Sequence, residues 1–200
     1  GEIRQIQDPV EMAIRYSQGG ASAISVITES SGFGGALTDL SHVAKELPSM
    51  ALLRKDFILH PLQLAEAVAA GAHAVLLIVH VIGKNLKFLL QEAQRLGLEV
   101  LTEIHNRREL DLALEAGAPI IGINHRNLST FEIDLSISEV LRPLIPPHII
   151  TVAESGIHQP AQARNLRDLG YDAILVGEAL VRSNDPVKLI KLMRGEQDES

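Results

Sequence analysis

The sequence predicts an α/β fold, a (β/α)8 TIM barrel lacking its first strand in this chain, on three observations. One unit recurs along the chain: an amphipathic stretch, a glycine that stops it, and a short apolar run. The apolar runs are continuous, as in Val75-Leu76-Leu77-Ile78-Val79, which is the pattern of parallel strands buried on both faces. The count is uneven, with eight helices against seven strands and the chain opening on a helix at Asp8. No G-x-G-x-x-G turn favours the other architecture open to such alternation, a doubly wound sheet.

Each element has its own signal. The helix-to-strand junctions are Gly19-Gly20-Ala21, Gly71-Ala72, Gly97-Leu98, Gly117-Ala118 and Gly170-Tyr171, where glycine supplies the left-handed cap. The runs that follow predict strands at Ala23 to Thr28, Ala74 to Val79, Leu98 to Glu103, Ile120 to Asn124 and Ala173 to Gly177. Two more, Met50 to Lys55 and Ile149 to Glu154, follow Pro-containing loops. Helix starts are marked by Asp8-Pro9, by Asn106 with Glu109 three residues on, by Gln159-Pro160 and by Asp185-Pro186. Further helices are expected over Leu37 to Glu46, Pro61 to Ala70, Asn85 to Leu96, Leu135 to Leu141 and Val187 to Met193.

With 200 residues and 46% apolar content the chain suits a single barrel domain over residues 1–200. Barrels of this type typically run to about 250 residues, so the length also points to a domain incomplete at its N-terminus. A net charge of −7 and 3% aromatic residues argue against nucleic-acid binding, which needs clustered cations and stacking surfaces. No apolar stretch is long enough to span a membrane, no signal peptide opens the chain, and cysteine is absent. These features predict a cytoplasmic protein with no membrane partner. A small anionic ligand stays compatible, because a local site can be positive on an acidic protein.

In such a barrel the strand C-terminal ends build the active site. Lys55, Glu103, Asn124 and Glu154-Ser155 each end an apolar run, so four strands deliver polar groups to one rim. Singly, each has a plainer reading: Lys55 as a rim lysine reaching for solvent, Glu103 as its ion-pair partner, Asn124 as a loop cap. Glu154-Ser155-Gly156 and Val176-Gly177-Glu178 place a glycine at each of the last two strand exits, where such barrels often bind phosphate. The eight histidines, His42, His60, His73, His80, His105, His125, His148 and His158, form no ligand pattern on one helix and are expected on the surface or in loops. His80 and His105 lie just past strand ends, where a minor part in the rim is open to them. No metal and no cofactor are expected.

Leu53-Arg54-Lys55-Asp56-Phe57-Ile58 resembles a segment of the indole-3-glycerol-phosphate synthases. The likeness continues in order over almost the whole chain. It runs through Thr28-Glu29 with Phe33-Gly34-Gly35, Glu103-Ile104-His105, Gly122 to Leu128, Glu154-Ser155-Gly156-Ile157 and Val176-Gly177-Glu178-Ala179-Leu180. The resemblance implies a decarboxylating and dehydrating ring closure of 1-(2-carboxyphenylamino)-1-deoxyribulose 5-phosphate in tryptophan biosynthesis. It implies Lys55 as general acid, Glu103 as the carboxylate that assists proton transfer, and Asn124 and Arg126 as the substrate-orienting pair. It further implies Ser155, Gly156, Gly177 and Glu178 as the phosphate grip, the last through its backbone, and Phe33, Phe57 and Leu128 as apolar walls for the aromatic ring.

The family's pattern also has, ahead of the segment matching Gly1, a strand reading roughly E-x-K-x-x-S-P-S and a helical extension; its glutamate, lysine and serine belong to the site. These have no counterpart in the 200 residues. Two expectations follow: self-association through an open barrel edge, and little or no turnover by the chain as given. Two other readings compete. Another phosphate-binding barrel, a sugar-phosphate isomerase or epimerase, explains the glycine-rich exits but not R-K-D-F with G-I-N-x-R, and a non-catalytic barrel that only folds or associates explains the missing strand.

Overall fold

A computed structural model describes residues 8–128 and 130–197. Asp8 starts the first helix, α1 (Pro9–Gln18), its carboxylate accepting from the Val10 and Glu11 N–H groups at 2.9 and 3.0 Å ahead of a proline whose missing N–H costs nothing there. The chain then alternates through β1 (Ala23–Ile27), α2 (Leu37–Glu46), β2 (Ala51–Lys55), α3 (Pro61–Ala69) and β3 (Ala74–Ile78). It continues through α4 (Val79–Ile82), α5 (Leu86–Arg95), β4 (Glu99–Ile104), α6 (Arg107–Ala116), β5 (Ile120–Asn124) and α7 (Ile137–Leu141). The last elements are β6 (Ile150–Glu154), α8 (Pro160–Asp168), β7 (Ala173–Leu175), α9 (Glu178–Arg182) and α10 (Pro186–Arg194). The eight expected helices are present. α4 and α9 are additional, each a four- or five-residue coil directly after a strand and too short to leave an amphipathic period in the sequence.

All pairings are parallel, in the order β1-β2-β3-β4-β5-β6-β7, so the described residues form seven staves of a barrel. β1 and β7 each pair on one side only among the described residues. The helix ring is more complete. α10 packs on α1, where Gly19 leaves room for Ile190, Arg15 reaches the Asn184 carbonyl and Arg194 the Gly20 carbonyl.

The apolar runs divide by parity. Residues such as Val75, Leu77, Val100, Ile121 and Ile123 face the helices and are fully buried against Leu64, Leu89, Leu90 and Leu110. Each such side chain contributes roughly 1.5–3 kcal/mol relative to exposure. The alternate residues Leu53, Leu76, Ile78 and Leu101 form a second cluster inside the curl of the sheet, with Ile120, Val152, Leu175 and Leu128 packed on it. Among the described residues no helix is long and apolar enough to cross a membrane.

Candidate active site

Parallel register carries the inward face from strand to strand. Ile27 pairs with Lys55, Ile78 with Glu103, Glu103 with Gly122, Asn124 with Glu154, and Glu154 with Leu175. Paired residues point to the same side, so Lys55, Glu103, Asn124 and Glu154 all enter the top of the curl above the Leu53–Leu76–Leu101 layer. Arg54, between two inward residues, points outward. It is buried and held by Asp56 at 3.0 Å, the Gln63 carbonyl at 2.6 Å and Glu66 at 3.3 Å. Asp56 also accepts from the Thr28 hydroxyl at 2.6 Å, pinning the end of β2 to β1.

Glu103 and Glu154 are both buried, and their surroundings push their pKa values in opposite directions. Burial would raise the Glu103 carboxyl, but the His105, Lys55 and Asn124 side chains outweigh it and hold Glu103 below the ordinary carboxylate range. Burial, and next the charge of Glu103, push Glu154 well above that range, against the opposing pull of Lys55 and His105. Glu103 Oε2 and Glu154 Oε1 are otherwise buried without partners. One proton held by Glu154 and shared with Glu103 satisfies both, as in other close carboxyl pairs that cannot ionise together. Gly122 makes the approach possible: a Cβ there would overlap the Glu154 carboxylate. Asn124 is buried, its Oδ1 accepting from the Arg126 N–H at 3.0 Å.

The close cation beside Glu103 is His105. Its Nε2 stands 3.3 Å from Glu103 Oε1, an ionic contact outside hydrogen-bond alignment, and its Nδ1 lies 3.0 Å from Glu109 Oε2. Among the described residues no carboxylate lies within ion-pair distance of Lys55, so the expected Lys55–Glu103 pair acts through space rather than by contact. Two of the histidines lie in loops, as expected, but are not on the surface. The His105 side chain is only 10% exposed, and His125 is buried. His125 Nδ1 donates to the Ser155 carbonyl at 2.9 Å, its Nε2 meets the Ser138 hydroxyl at 2.6 Å, and Ser138 meets the Tyr171 hydroxyl at 2.7 Å. Burial lowers the His125 pKa, which suits a neutral ring used as structure. His125 carries no local signal, because its partners lie 13 and 30 residues away, whereas His105 stands two residues past Glu103 and four before Glu109.

At the last two strand exits the two glycines differ. Ser155 and Gly156 are consecutive left-handed residues, φ 66° and 73°, and a Cβ on Gly156 would strike Ile133. Gly156 is therefore required by the turn itself. Ser155 is strained for an L-residue and is fixed by the His125 bond to its carbonyl. Gly177 has an ordinary φ of −120°, and a Cβ placed on it would meet nothing within 4 Å, so the fold does not demand glycine there. Beside it Glu178 binds Arg126 at 3.3 Å and Arg182 at 3.2 Å, which puts Arg126 across the mouth from β5 to α9. Phe33 and Phe57 stand on the rim, 63% and 40% exposed, while Leu128 packs onto the inner cluster. A cavity of about 220 Å³ lies behind the rim among His105, Asn124, His125, Asn127, Glu132, Asp134 and Ile137. A larger one, about 350 Å³, is lined by Leu90, Gln94 and Leu98 at the opposite strand ends, away from these groups. No cluster of three metal-ligating side chains occurs among the described residues.

A family model described as indole-3-glycerol phosphate synthase matches residues 1–193. Proteins of that name from Dehalococcoides mccartyi and Opitutus terrae are 50% and 45% identical, over 96% and 97% of this chain and 76% and 75% of their own lengths. One from Sulfurimonas denitrificans is 46% identical over 97% of this chain and 74% of its own. Among solved structures, a 3-hexulose-6-phosphate synthase superposes with a TM-score of 0.78 at 16% identity, over 94% of this chain and 92% of its own. A thiamine phosphate pyrophosphorylase from Pyrococcus furiosus gives 0.72 at 20% identity, over 96% and 90%. At such identities these structures share the fold.

Proposed function

The chain belongs to the indole-3-glycerol phosphate synthase family, carboxy-lyases of tryptophan biosynthesis, and from that premise we propose that the four inward residues at its strand exits carry the ring closure. Lys55 protonates the ribulose carbonyl oxygen as the aromatic carbon attacks; carbon dioxide leaves, and a hydroxyl then departs as water. Dehydration needs an acid and a base in one site. What supports this reading is two buried carboxyls on neighbouring strand exits whose proton affinities are pushed in opposite directions, Glu103 below and Glu154 well above the ordinary range, since paired groups with diverging proton affinities mark acid and base roles. Asn124 and Arg126 orient the substrate, Arg126 exchanging Glu178 for the substrate's carboxylate, to which its fork is suited. Ser155, Gly156, Gly177 and the Glu178 backbone hold the phosphate. Phe33 and Phe57, exposed on the rim, cover the aromatic ring together with Leu128.

Indole fluorescence tests this, run beside an aldose–ketose isomerisation assay. Lys55→Ala is expected to lower indole formation by roughly 10²–10⁴-fold while indole-3-glycerol phosphate still binds in an equilibrium titration. Isomerase activity without indole formation, or a Lys55→Ala variant as active as the parent, refutes the assignment.

A further inference from the structure

We infer that His105 is a positioning residue for the proposed reaction: held as an imidazolium between Glu103 and Glu109, it keeps the Glu103 carboxylate ionised and directed into the strand-exit basin. Both ring nitrogens face carboxylate oxygens, Nδ1 at 3.0 Å from Glu109 and Nε2 at 3.3 Å from Glu103. A neutral ring would leave these two anions without an opposite charge beside them, so the doubly protonated ring is the form that suits both. Glu109 is in turn fixed as an anion. It accepts from the His105 backbone N–H at 2.8 Å, from Asn106 Nδ2 at 2.8 Å, and faces His80 Nδ1 at 3.2 Å. Taking a proton from His105 would turn one of these acceptor oxygens into a donor.

The charged and titratable groups facing this cluster are Lys55 from β2, Glu154 from β6, Glu109 from α6 and His80 from α4, with the Asn124 amide from β5. Among the described residues, no cation of these stands within ion-pair distance of Glu103, and His105 is the group that brings a positive charge into contact with it. The electrostatics agree. Burial would lower the His105 pKa, yet Glu103 and Glu109 raise it to about 9, and Glu109 itself lies below its ordinary range. Capping α6 does not need the ring, because Asn106 and the Glu109 backbone already form that contact at 3.0 Å.

The inference rests on the catalytic reading of Glu103, and its test has an arm that does not. Protein labelled with 15N-histidine and carboxyl-13C glutamate is titrated by NMR. His105 should be protonated at both nitrogens at pH 7.5, and Glu103 should titrate below the ordinary carboxylate range. His105→Gln should raise the Glu103 midpoint by about 1–3 pH units, the effect of losing an adjacent opposite charge. Glu109→Gln, a smaller change, should lower the His105 midpoint in a chain with an unchanged circular dichroism spectrum. In turnover, His105→Gln should move the acidic limb of the kcat profile upward, while Glu109→Gln, in which His105 still carries its proton at acid pH, should leave that limb in place; KM should change less than about two-fold in both, the signature of an effect on chemistry rather than binding. A neutral His105 tautomer, or a Glu103 midpoint unmoved by His105→Gln, overturns the inference. A chain that shows the NMR shifts but forms indole at the parental rate after Glu103→Gln overturns the proposed function instead.

Discussion

Gly122→Ala isolates one contact on which the carboxyl pair depends. Gly122 has no left-handed φ, so alanine is not strained by its backbone, and in a strand it should gain roughly 0.5–1 kcal/mol over glycine. The new methyl, however, would overlap Glu154 Oε1 and lie 3.0 Å from Glu154 Cδ and 3.1 Å from Leu101 Cδ1. Leu101 has a flexible end, whereas Glu154 is fully enclosed. Overpacking of this kind costs about 1–3 kcal/mol. Removing Glu154 deletes the clash, so Gly122→Ala should turn from destabilising to neutral or mildly stabilising in a Glu154→Ala background. The coupling is about 1–3 kcal/mol, the clash alone, because the glycine-to-alanine gain is common to both backgrounds and cancels. Urea unfolding of the four proteins measures it, with Glu154→Gln as a control that keeps the side chain's volume and therefore the penalty. Costs that add to within about 0.5 kcal/mol would show that Gly122 and Glu154 do not meet.

Glu154→Gln should also change how stability depends on pH. The folded pKa of Glu154 is raised, so the group favours the folded state at low pH and loses that advantage as the unfolded chain ionises above about 4.5 and the folded protein does not. The variant should gain stability relative to the parent as pH rises from about 4.5, read by thermal melts at several pH values; parallel curves would contradict the protonated form. Ser138→Ala leaves the buried His125 Nε2 and Tyr171 hydroxyl without their shared partner and should cost about 1–3 kcal/mol in urea unfolding. A loss below about 0.3 kcal/mol would mean that the network is dispensable. Gly177→Ala should fold with parental stability, since its methyl meets nothing, while weakening inorganic phosphate binding by calorimetry at least about ten-fold, because the methyl holds the anion away from the backbone N–H it would otherwise reach, an effect comparable to losing one hydrogen bond to a charged group. Unchanged affinity would remove Gly177 from the phosphate grip. Gly156→Ala should differ by destabilising the fold itself, because of its left-handed φ and the contact with Ile133.

The strand ends are legible in the sequence because a parallel sheet turns a one-dimensional rule into a spatial one. Lys55, Glu103, Asn124 and Glu154 each close an apolar run, and register then needs only to keep parity to set them on one face. The same parity explains why Arg54, adjacent to Lys55 and equally charged, is a buried structural residue on the opposite side. Contacts made across elements have no such rule. His125 lies 13 residues from Ser138 and 30 from Ser155, and neither distance has a period. His80 and Glu109 are 29 apart and meet only because the turn of α4 bends back over the start of α6. Glycine is ambiguous for a different reason. Gly156 and Gly177 look alike as strand-exit glycines, yet one answers to a backbone angle and a neighbour, and the other to neither. An unexplained glycine beside an open mouth is a stronger indication of a ligand than an explained one. Gly122, which in the sequence is only one more small residue in an apolar strand, answers to a third demand, the passage of a carboxyl group from the next strand.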